Sequence, residues 1–166
     1  MNILGLSEGF HDAAVCILQN NKIMFASQAE RFSGVKNDKW IHSNQLPKTE
    51  KYKPDVIAYY EKPFRKNLRR LYSGQGWKKN TTNFDVSFGH HESHAAAGYY
   101  TSPFNECNVL VIDAIGEWDT MSIWKGSVQN GYMGQKTHTL KKIKSWKYPY
   151  SLGLLYSAIT QRIGLK

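Results

Sequence analysis

Two histidines one helical turn apart are the residues of this sequence best placed to do chemistry. His90 and His94 stand at positions i and i+4 of an alanine-rich segment, and on a helix that spacing puts both imidazoles on one face. Two neighbouring imidazoles can bind one metal ion. The same spacing is common on ordinary helix surfaces, so the pair alone leaves both interpretations open.

Asp113 favours the metal interpretation. It follows the apolar run 107–112, which is typical of a buried strand, and a carboxylate at such a strand end is costly unless a cation or hydrogen-bond donors meet it. Two imidazoles and a carboxylate suit iron, manganese or zinc in an open catalytic site. The alternative is a turn that Asp113 caps and Gly116 completes. A zinc-protease site is excluded, because residues 91–94 are one residue short of HExxH.

Two glycine-bearing loops are candidate ligand loops. The first spans residues 5–12 and the second spans residues 113–120, and each joins two predicted strands. Paired loops of this kind hold nucleotide phosphates in sugar kinases, actin and the heat-shock ATPases. Each loop taken alone could also be a simple hairpin.

Periodicity and turn residues predict the elements that position these groups. We expect strands at 2–7, 13–19, 23–29, 56–60, 84–88, 107–113, 120–124 and 136–146, and helices at 64–74, 90–101 and 151–164. Asn20 and Asn21 predict a tight hairpin, and Ser151 is expected to cap the last helix. The order of elements predicts an α/β fold with two copies of one plan, 1–104 and 105–166, the second truncated.

Two helices raise questions about packing. The helix at 64–74 has an apolar side and a strongly basic side, and we expect the basic side to face water. The last helix carries an apolar stripe at Leu154, Leu155, Ala158 and Ile159. That stripe needs a partner surface. We therefore expect the chain to be part of something longer and, taken alone, to self-associate.

The composition is typical of a globular protein, and the length is that of one domain. Of its 166 residues 41% are hydrophobic and 21% charged, and the net charge of +9 favours anionic partners. Cys16 and Cys107 lie in apolar runs and predict reduced thiols. The sequence shows neither a secretory signal nor an apolar run long enough to span a membrane. We expect a cytoplasmic protein with no membrane partner.

Five motifs in a fixed order point to a known family. They are Ile3-Leu4-Gly5-Leu6 with His11-Asp12-Ala13-Ala14, then Ala29-Glu30-Arg31-Phe32, His90-His91-Glu92-Ser93-His94-Ala95, Val111-Ile112-Asp113-Ala114-Ile115-Gly116-Glu117-Trp118, and Ser151-Leu152-Gly153-Leu154-Leu155-Tyr156-Ser157-Ala158. With these motifs the sequence resembles the O-carbamoyltransferases of the nodulation-protein NodU and cephem-carbamoyltransferase type. The resemblance covers the N-terminal part of that family's catalytic region.

The resemblance implies an actin-like ATPase (ribonuclease H-like) fold, with a mixed sheet and flanking helices. It also implies a separate C-terminal YrdC-like domain, in cis or in trans, that makes carbamoyl-adenylate from ATP and carbamoyl phosphate. The activity implied is transfer of the carbamoyl group from carbamoyl-adenylate to a hydroxyl of a small molecule. Without the rest of the family's sequence we expect the chain alone to be inactive.

The resemblance also assigns roles to residues. It implies that Fe²⁺, or another divalent ion, binds His90, His94 and Asp113. It makes His11 the catalytic base at the acceptor hydroxyl, and assigns the acceptor site to Gly9, His11, Asp12 and Arg31. The carbamoyl-adenylate site is assigned to Asp113, Gly116, Glu117 and Thr120. Two positions depart from the family pattern, Ala14 in place of serine and Asn37 in place of histidine.

Two alternatives remain open at this point. The basic helix and its continuation interleave cations with aromatic side chains, at Phe64, Arg65, Lys66, Arg69, Arg70, Tyr72, Trp77, Lys78 and Lys79. That pattern fits a nucleic-acid-binding module or a tRNA-modifying relative, although most such charge runs are only solvated surfaces. The other alternative is an inactive, truncated remnant.

Overall fold

The computed structural model describes residues 1–45, 49, 51–79, 82–130 and 135–165. They form two compact units. Unit 1 comprises Met1–Lys62 and Lys78–Phe88, and unit 2 comprises Pro63–Trp77 and Gly89–Lys166. Unit 2 thus takes in segments that precede residue 105. The predicted division into 1–104 and 105–166 concerns the subdomains of a longer fold and stays a prediction.

Unit 1 is a five-stranded mixed sheet. Its strands are β1 (Asn2–Ser7), β2 (Ala14–Gln19), β3 (Lys22–Gln28), β4 (Val56–Tyr59) and β5 (Val86–Ser87), in the order β3-β2-β1-β4-β5. The first three pair antiparallel, while β4 and β5 run parallel to β1. A short helix, α1 (Glu30–Ser33), and a 3₁₀ turn (Ser43–Gln45) follow β3.

Alternation along the strands builds the core of unit 1. Every second residue of β1 and β2 is buried, which is the period of a strand with one face covered. The buried residues are Leu4, Leu6, Val15, Ile17 and Tyr59. Asn20 and Asn21 both have positive φ, at 49° and 63°, so the predicted tight hairpin between β2 and β3 is confirmed.

Unit 2 combines helices with an antiparallel sheet. Its elements are α2 (Pro63–Tyr72), α3 (His90–Tyr100), β6 (Cys107–Gly116), β7 (Asp119–Asn130), β8 (Lys136–Lys147) and α4 (Leu152–Arg162). The strands pair in the order β6-β7-β8. The α/β prediction, with a mixed sheet and flanking helices, is therefore confirmed. Within the described ranges, no helix is long and apolar enough to cross a bilayer.

Helix α3 covers one face of the unit 2 sheet. Ala95 and Tyr99 are buried, at 0% and 1% exposure, and Ala95 packs with Val111 of β6 and Trp124 of β7. The ring of Tyr99 lies directly over Gly126, where an added Cβ would come within 2.5 Å of the ring. The small residue at that position therefore allows the close approach of helix and sheet.

Helix α2 forms as predicted, but its exposure differs from the prediction. Its apolar residues Phe64, Leu68 and Leu71 are 64%, 43% and 49% exposed, whereas Asn67 is 6% exposed. The expectation that its basic side faces water holds for Arg65, whose side chain is 57% exposed and lies 3.8 Å from the carboxylate of Glu117. It is wrong for Lys66, Arg69 and Arg70, which are half-buried. Helix α4 behaves as expected, since none of its residues is buried.

Candidate metal centre

Three side chains converge at the start of α3. The Nε2 atoms of His90 and His94 lie 3.1 Å apart, and Nε2 of His90 lies 2.9 Å from Oδ2 of Asp113. One ligand atom from each residue falls within 4.8 Å of the others. The predicted convergence of the two histidines and Asp113 is therefore confirmed as geometry, while the binding of a metal stays a proposal.

The first turn of α3 is held by carboxylates at its N-terminus. Glu92 accepts a hydrogen bond from the backbone N–H of Gly89 at 3.1 Å, and Glu117 accepts one from the N–H of His90 at 3.3 Å. Anionic groups at a helix N-terminus satisfy its free N–H groups and its partial positive charge. These hydrogen bonds fix the position of the His90 backbone at the start of the helix.

Asp113 lies within strand β6, and not at its end as predicted. The strand continues to Gly116, with a break in the β6–β7 register between Ile112 and Gly116. The reason is that β6 and β7 are joined by a turn of only two residues, so the pairing resumes at Gly116 opposite Asp119. Asp113 therefore sits at an irregularity, the kind of position that re-aims a side chain.

Helix α4 supports the backbone at this irregularity. The Ser151 hydroxyl donates to the carbonyl oxygen of Ala114 at 2.7 Å and lies 3.1 Å from that of Asp113. It also accepts from the N–H of Leu154 at 3.0 Å, which confirms Ser151 as the N-cap. A Cβ at Gly153 would come within 2.6 Å of backbone atoms of Asp113 and Ala114. The start of α4 thus fits closely against the strand that carries Asp113.

The charge states of Asp113 and His94 suit metal ligands. The hydrogen bond from His90 lowers the pKa of Asp113 to about 2, outweighing burial, which acts in the opposite direction. Burial lowers the pKa of His94, and the positive charge of a protonated His90 lowers it further. At neutral pH the carboxylate is therefore ionised and the His94 imidazole neutral, which are the forms that bind a metal.

Two of the three spacings match those around a metal ion. Ligand atoms about 2.1 Å from a divalent ion and about 90° apart lie roughly 3 Å from one another. The 3.1 Å between the two imidazole nitrogens and the 2.9 Å from His90 to Asp113 match that separation, and the ligand atoms of His94 and Asp113 lie within 4.8 Å of each other. Two nitrogens and one carboxylate oxygen could hold a divalent ion and leave further coordination positions for other ligands.

The first candidate ligand loop lies in unit 1 between β1 and β2. Nδ1 of His11 is 2.7 Å from Oδ2 of Asp12, and the His11 side chain is 59% exposed. The N–H of Gly9 donates to the carbonyl of Lys39 at 2.7 Å. Gly9 has φ of +90°, a conformation that favours glycine. The loop thus presents an exposed imidazole whose partner is the next residue.

The other predicted site residues have definite partners. The side chain of Arg31 is 73% exposed, with its nearest carboxylate oxygen, on Glu30, at 3.7 Å. Glu117 is 8% exposed and faces the start of α3. Thr120 is fully buried and its hydroxyl donates to the carbonyl of Trp146 at 3.2 Å. The assignments of Arg31 to the acceptor and of Glu117, Gly116 and Thr120 to carbamoyl-adenylate stay predictions.

The basic helix has its own contacts. Arg65 lies 3.8 Å from the carboxylate of Glu117, and Arg70 donates to the carbonyl of Gln75 at 3.2 Å. The ring of Tyr72 meets that of Trp118 edge-on, with centroids 5.4 Å apart. Part of the predicted nucleic-acid patch is thus engaged within unit 2, and nucleic-acid binding itself stays a prediction.

The hydrogen bond from Ser151 to the strand that carries Asp113 is not predicted from the sequence. The sequence indicates Ser151 as a helix cap but not as a donor to the neighbouring strand. The available signal was the Ser151-Leu152-Gly153 run. A small residue in the first helical turn allows close backbone approach, but only the fold shows which backbone approaches.

Comparison with known proteins agrees with this architecture. The family described as carbamoyltransferase N-terminus matches residues 48–166. The uncharacterized protein sll1178 of Synechocystis sp. is 30% identical over 207 residues, covering 99% of this chain and 32% of that protein. The uncharacterized protein MJ1051 of Methanocaldococcus jannaschii is 29% identical over 167 residues, covering 99% of this chain and 30% of that protein. The chain spans about a third of the length of these relatives. It belongs to the carbamoyltransferase N-terminus family.

Proposed function

We propose that the chain carries two parts of a carbamoyltransferase, a metal centre in unit 2 and a base-bearing loop in unit 1. The substrate would be carbamoyl-adenylate and the acceptor a hydroxyl of a small molecule. Membership of the family supports carbamoyl transfer in general. The convergence of His90, His94 and Asp113 within 4.8 Å is the observation that carries the metal centre.

The finer assignment is to the NodU and cephem-carbamoyltransferase type, with an actin-like ATPase fold. The strand order of unit 1 supports it, since an antiparallel meander is followed by parallel strands at the free edge of β1. Unit 2 contains a second antiparallel meander. Two meanders in one chain are compatible with a duplicated plan whose second copy has further strands.

The metal centre would hold Fe²⁺ or another divalent ion on His90, His94 and Asp113. When bound, such an ion supplies Lewis-acid polarisation of a carbonyl or phosphoryl oxygen. Asp113 brings a negative charge that offsets part of the ion's charge, because its pKa of about 2 keeps it ionised. The lowered pKa of His94 keeps that imidazole available as a neutral ligand.

The loop of unit 1 would supply the base. With its Nδ1 proton donated to Asp12 at 2.7 Å, His11 presents the lone pair of Nε2. Attack by the acceptor oxygen on the carbamoyl carbon forms the carbamate ester and breaks the bond from that carbon to the phosphate oxygen. AMP leaves, and the acceptor's hydroxyl proton is transferred to Nε2 of His11.

Other components of the reaction lie outside the described residues. We propose ATP and carbamoyl phosphate as co-substrates and a YrdC-like domain, in cis or in trans, as the source of carbamoyl-adenylate. A net charge of +9 suits a phosphate-rich donor. The cytoplasm, where both co-substrates occur, is the proposed compartment.

Metal binding is tested by anaerobic titration of the chain with Fe²⁺, and with Co²⁺ as a spectroscopic probe. We expect one ion per chain, and a loss of affinity of at least about tenfold in His94→Ala and in Asp113→Asn. His138→Ala removes a unit 2 histidine from β8 and is the matched control. Equal affinities for the wild type and the ligand variants would contradict the metal centre.

The base is tested by the release of AMP from carbamoyl-adenylate, with water as the acceptor. The chain is assayed together with the rest of the family's sequence, expressed as a separate piece that includes the YrdC-like domain. We expect His11→Ala to lose most of the release above background while still binding metal. Undiminished release in His11→Ala would remove the base from the proposal and leave the metal centre standing.

A further inference from the structure

Gly116 lies against the ring of His90. A Cβ added at this position would be 2.4 Å from Cδ2 and 2.9 Å from Cγ of His90, and 2.8 Å from Cδ2 of His91. Carbon atoms that are not bonded to each other are in contact at 3.5 to 4.0 Å, so no side chain of any kind fits here without displacement. The space that a methyl group would take is occupied by the imidazole of His90.

Glycine is needed at position 116 because it has no Cβ, and not because the backbone there has a positive φ. In the turn between β6 and β7 the residue with positive φ is Glu117, at 55°, and Gly116 is not among the glycines with positive φ. Gly116 pairs with Asp119, where the β6–β7 ladder resumes after its break in register. A residue with a Cβ could adopt this backbone conformation. The obstacle to such a residue is therefore steric, and it comes from the rings of His90 and His91.

His90 is confined on two sides. On one side its Nε2 faces Oδ2 of Asp113 at 2.9 Å and Nε2 of His94 at 3.1 Å. On the other side its Cδ2 and Cγ face the backbone of Gly116. The imidazole ring of His90 cannot rotate toward β6, because the backbone of the β6–β7 hairpin at Gly116 occupies that space. Its side-chain exposure of 18% agrees with this confinement.

We infer that Gly116 is a positioning residue of the metal centre, which lets the β6–β7 hairpin close over the His90 ring and hold its Nε2 toward Asp113 and His94. The inference rests on the proposed metal centre and adds a residue that touches no ion. An alanine here must push the ring aside, since the nearest atoms belong to a side chain that can rotate. The first effect of Gly116→Ala is therefore on the ligand geometry.

Gly126 provides a matched control at the other end of the same helix. An added Cβ there would lie 2.5 Å from the ring of Tyr99, so Gly126→Ala introduces a clash of the same kind between β7 and α3. Tyr99 is not part of the ligand set. The two variants therefore impose similar steric damage, and only one of them displaces a ligand.

The experiment compares Co²⁺ binding by the wild type, Gly116→Ala and Gly126→Ala, with the ligand-field spectrum as the second readout. We expect Gly116→Ala to bind at least about tenfold more weakly, with an altered visible spectrum. Gly126→Ala should bind like the wild type, although its melting temperature also falls. Equal affinity and an unchanged spectrum in Gly116→Ala, or an equal loss in both variants, would overturn the inference.

The position of the ring is also measured in the metal-free proteins, by crystallography or by nuclear Overhauser contacts. In the wild type, ring protons of His90 should lie against the Cα of Gly116 and Nε2 against Asp113; in Gly116→Ala the second contact should be lost. A retained contact would overturn the inference whether or not metal binds. A wild type with this geometry and no affinity for Co²⁺ would instead count against the proposed metal centre.

Discussion

Each unit contains a three-stranded antiparallel meander, and the two meanders place their candidate residues differently. In unit 1 the strands β1, β2 and β3 have 6, 6 and 7 residues, and the loop between β1 and β2 carries the exposed side chain of His11. In unit 2 the strands β6, β7 and β8 have 10, 12 and 12 residues, and the first two are joined by a two-residue turn. The candidate base of unit 1 lies on a loop, whereas the candidate metal ligands of unit 2 lie on a helix and an adjacent strand.

The difference extends to the cores. The sheet of unit 1 buries residues from three strands in one cluster. The sheet of unit 2 has one face under α3, while alternate residues of β6, Leu110 and Ile112, are 61% and 51% exposed. Unit 1 should therefore derive its stability from its own sheet. Unit 2 rigidifies its candidate site through local contacts and leaves apolar surface accessible.

The largest expected effect compares the two cores directly. Ile17, which is 0% exposed, and Ile112, which is 51% exposed, are both strand isoleucines. Ile17→Ala should destabilise by about 2–5 kcal/mol, because it opens a cavity in a filled core. Ile112→Ala should cost less than about 1 kcal/mol. Urea unfolding monitored by circular dichroism measures the free energy of unfolding of both variants. Equal losses would show that the two sheets are equally well packed at these positions.

The next effect concerns the acid stability of unit 2. The pKa of Asp113 falls from 3.8 to about 2 in the folded chain, chiefly through the hydrogen bond from His90. A depressed carboxyl pKa stabilises the fold above pH 3.8, and this stabilisation is lost as the pH falls toward 2. It amounts to at most about 2 kcal/mol.

Asp113→Asn should therefore flatten the fall of stability across that window. His90→Gln removes the principal cause of the shift and should flatten the same window. Unfolding midpoints at a series of pH values give the slopes. A wild-type slope that survives in both variants would show that the pair does not contribute to acid stability.

Much of the fold was predictable from local patterns. Strand alternation, the Asn20-Asn21 pair and the Ser151 cap each follow from neighbouring residues, and each is confirmed. The convergence of the two histidines with Asp113 was also predictable, since it needs only a helix and an adjacent strand. These features depend on residues whose local preferences agree with the fold.

What sequence could not supply depends on long-range contacts. The exposure of α2 could not be predicted, because its apolar spacing does not reveal that Asn67 is buried while Phe64, Leu68 and Leu71 are exposed. The position of Asp113 inside β6 depends on where the β6–β7 turn closes. The role inferred for Gly116 depends on a side chain that is 26 positions away along the chain. None of these contacts leaves a local periodic signal.

A smaller effect tests how α4 supports the candidate site. Ser151→Ala removes both the N-cap and the donor to Ala114, so we expect a loss of about 1–2 kcal/mol. Ser157→Ala removes only an exposed bond to the carbonyl of Gly153 and should change stability by less than about 0.5 kcal/mol. Thermal unfolding compares the two variants. An equal loss of stability would show that the hydrogen bond from Ser151 to β6 adds nothing beyond a contact within the helix.

The smallest effect on stability concerns the accessible apolar surface of unit 2. Leu155 and Ile159 of α4 are 54% and 51% exposed, and Ile143 of β8 is 59% exposed. Apolar surface of this kind promotes association, because contact removes it from water. We expect the scattering mass of the chain to rise with concentration. Leu155→Lys should reduce that rise and change the free energy of unfolding by less than about 0.5 kcal/mol.

Gln161→Lys is the matched control, since it adds the same charge to an exposed polar position of α4. It should associate like the wild type, because it removes no apolar surface. If both variants reduce association, added charge is the cause and the apolar surface is not. If the wild type stays monomeric and Leu155→Lys is destabilised, Leu155 packs within the chain and does not belong to an accessible apolar surface.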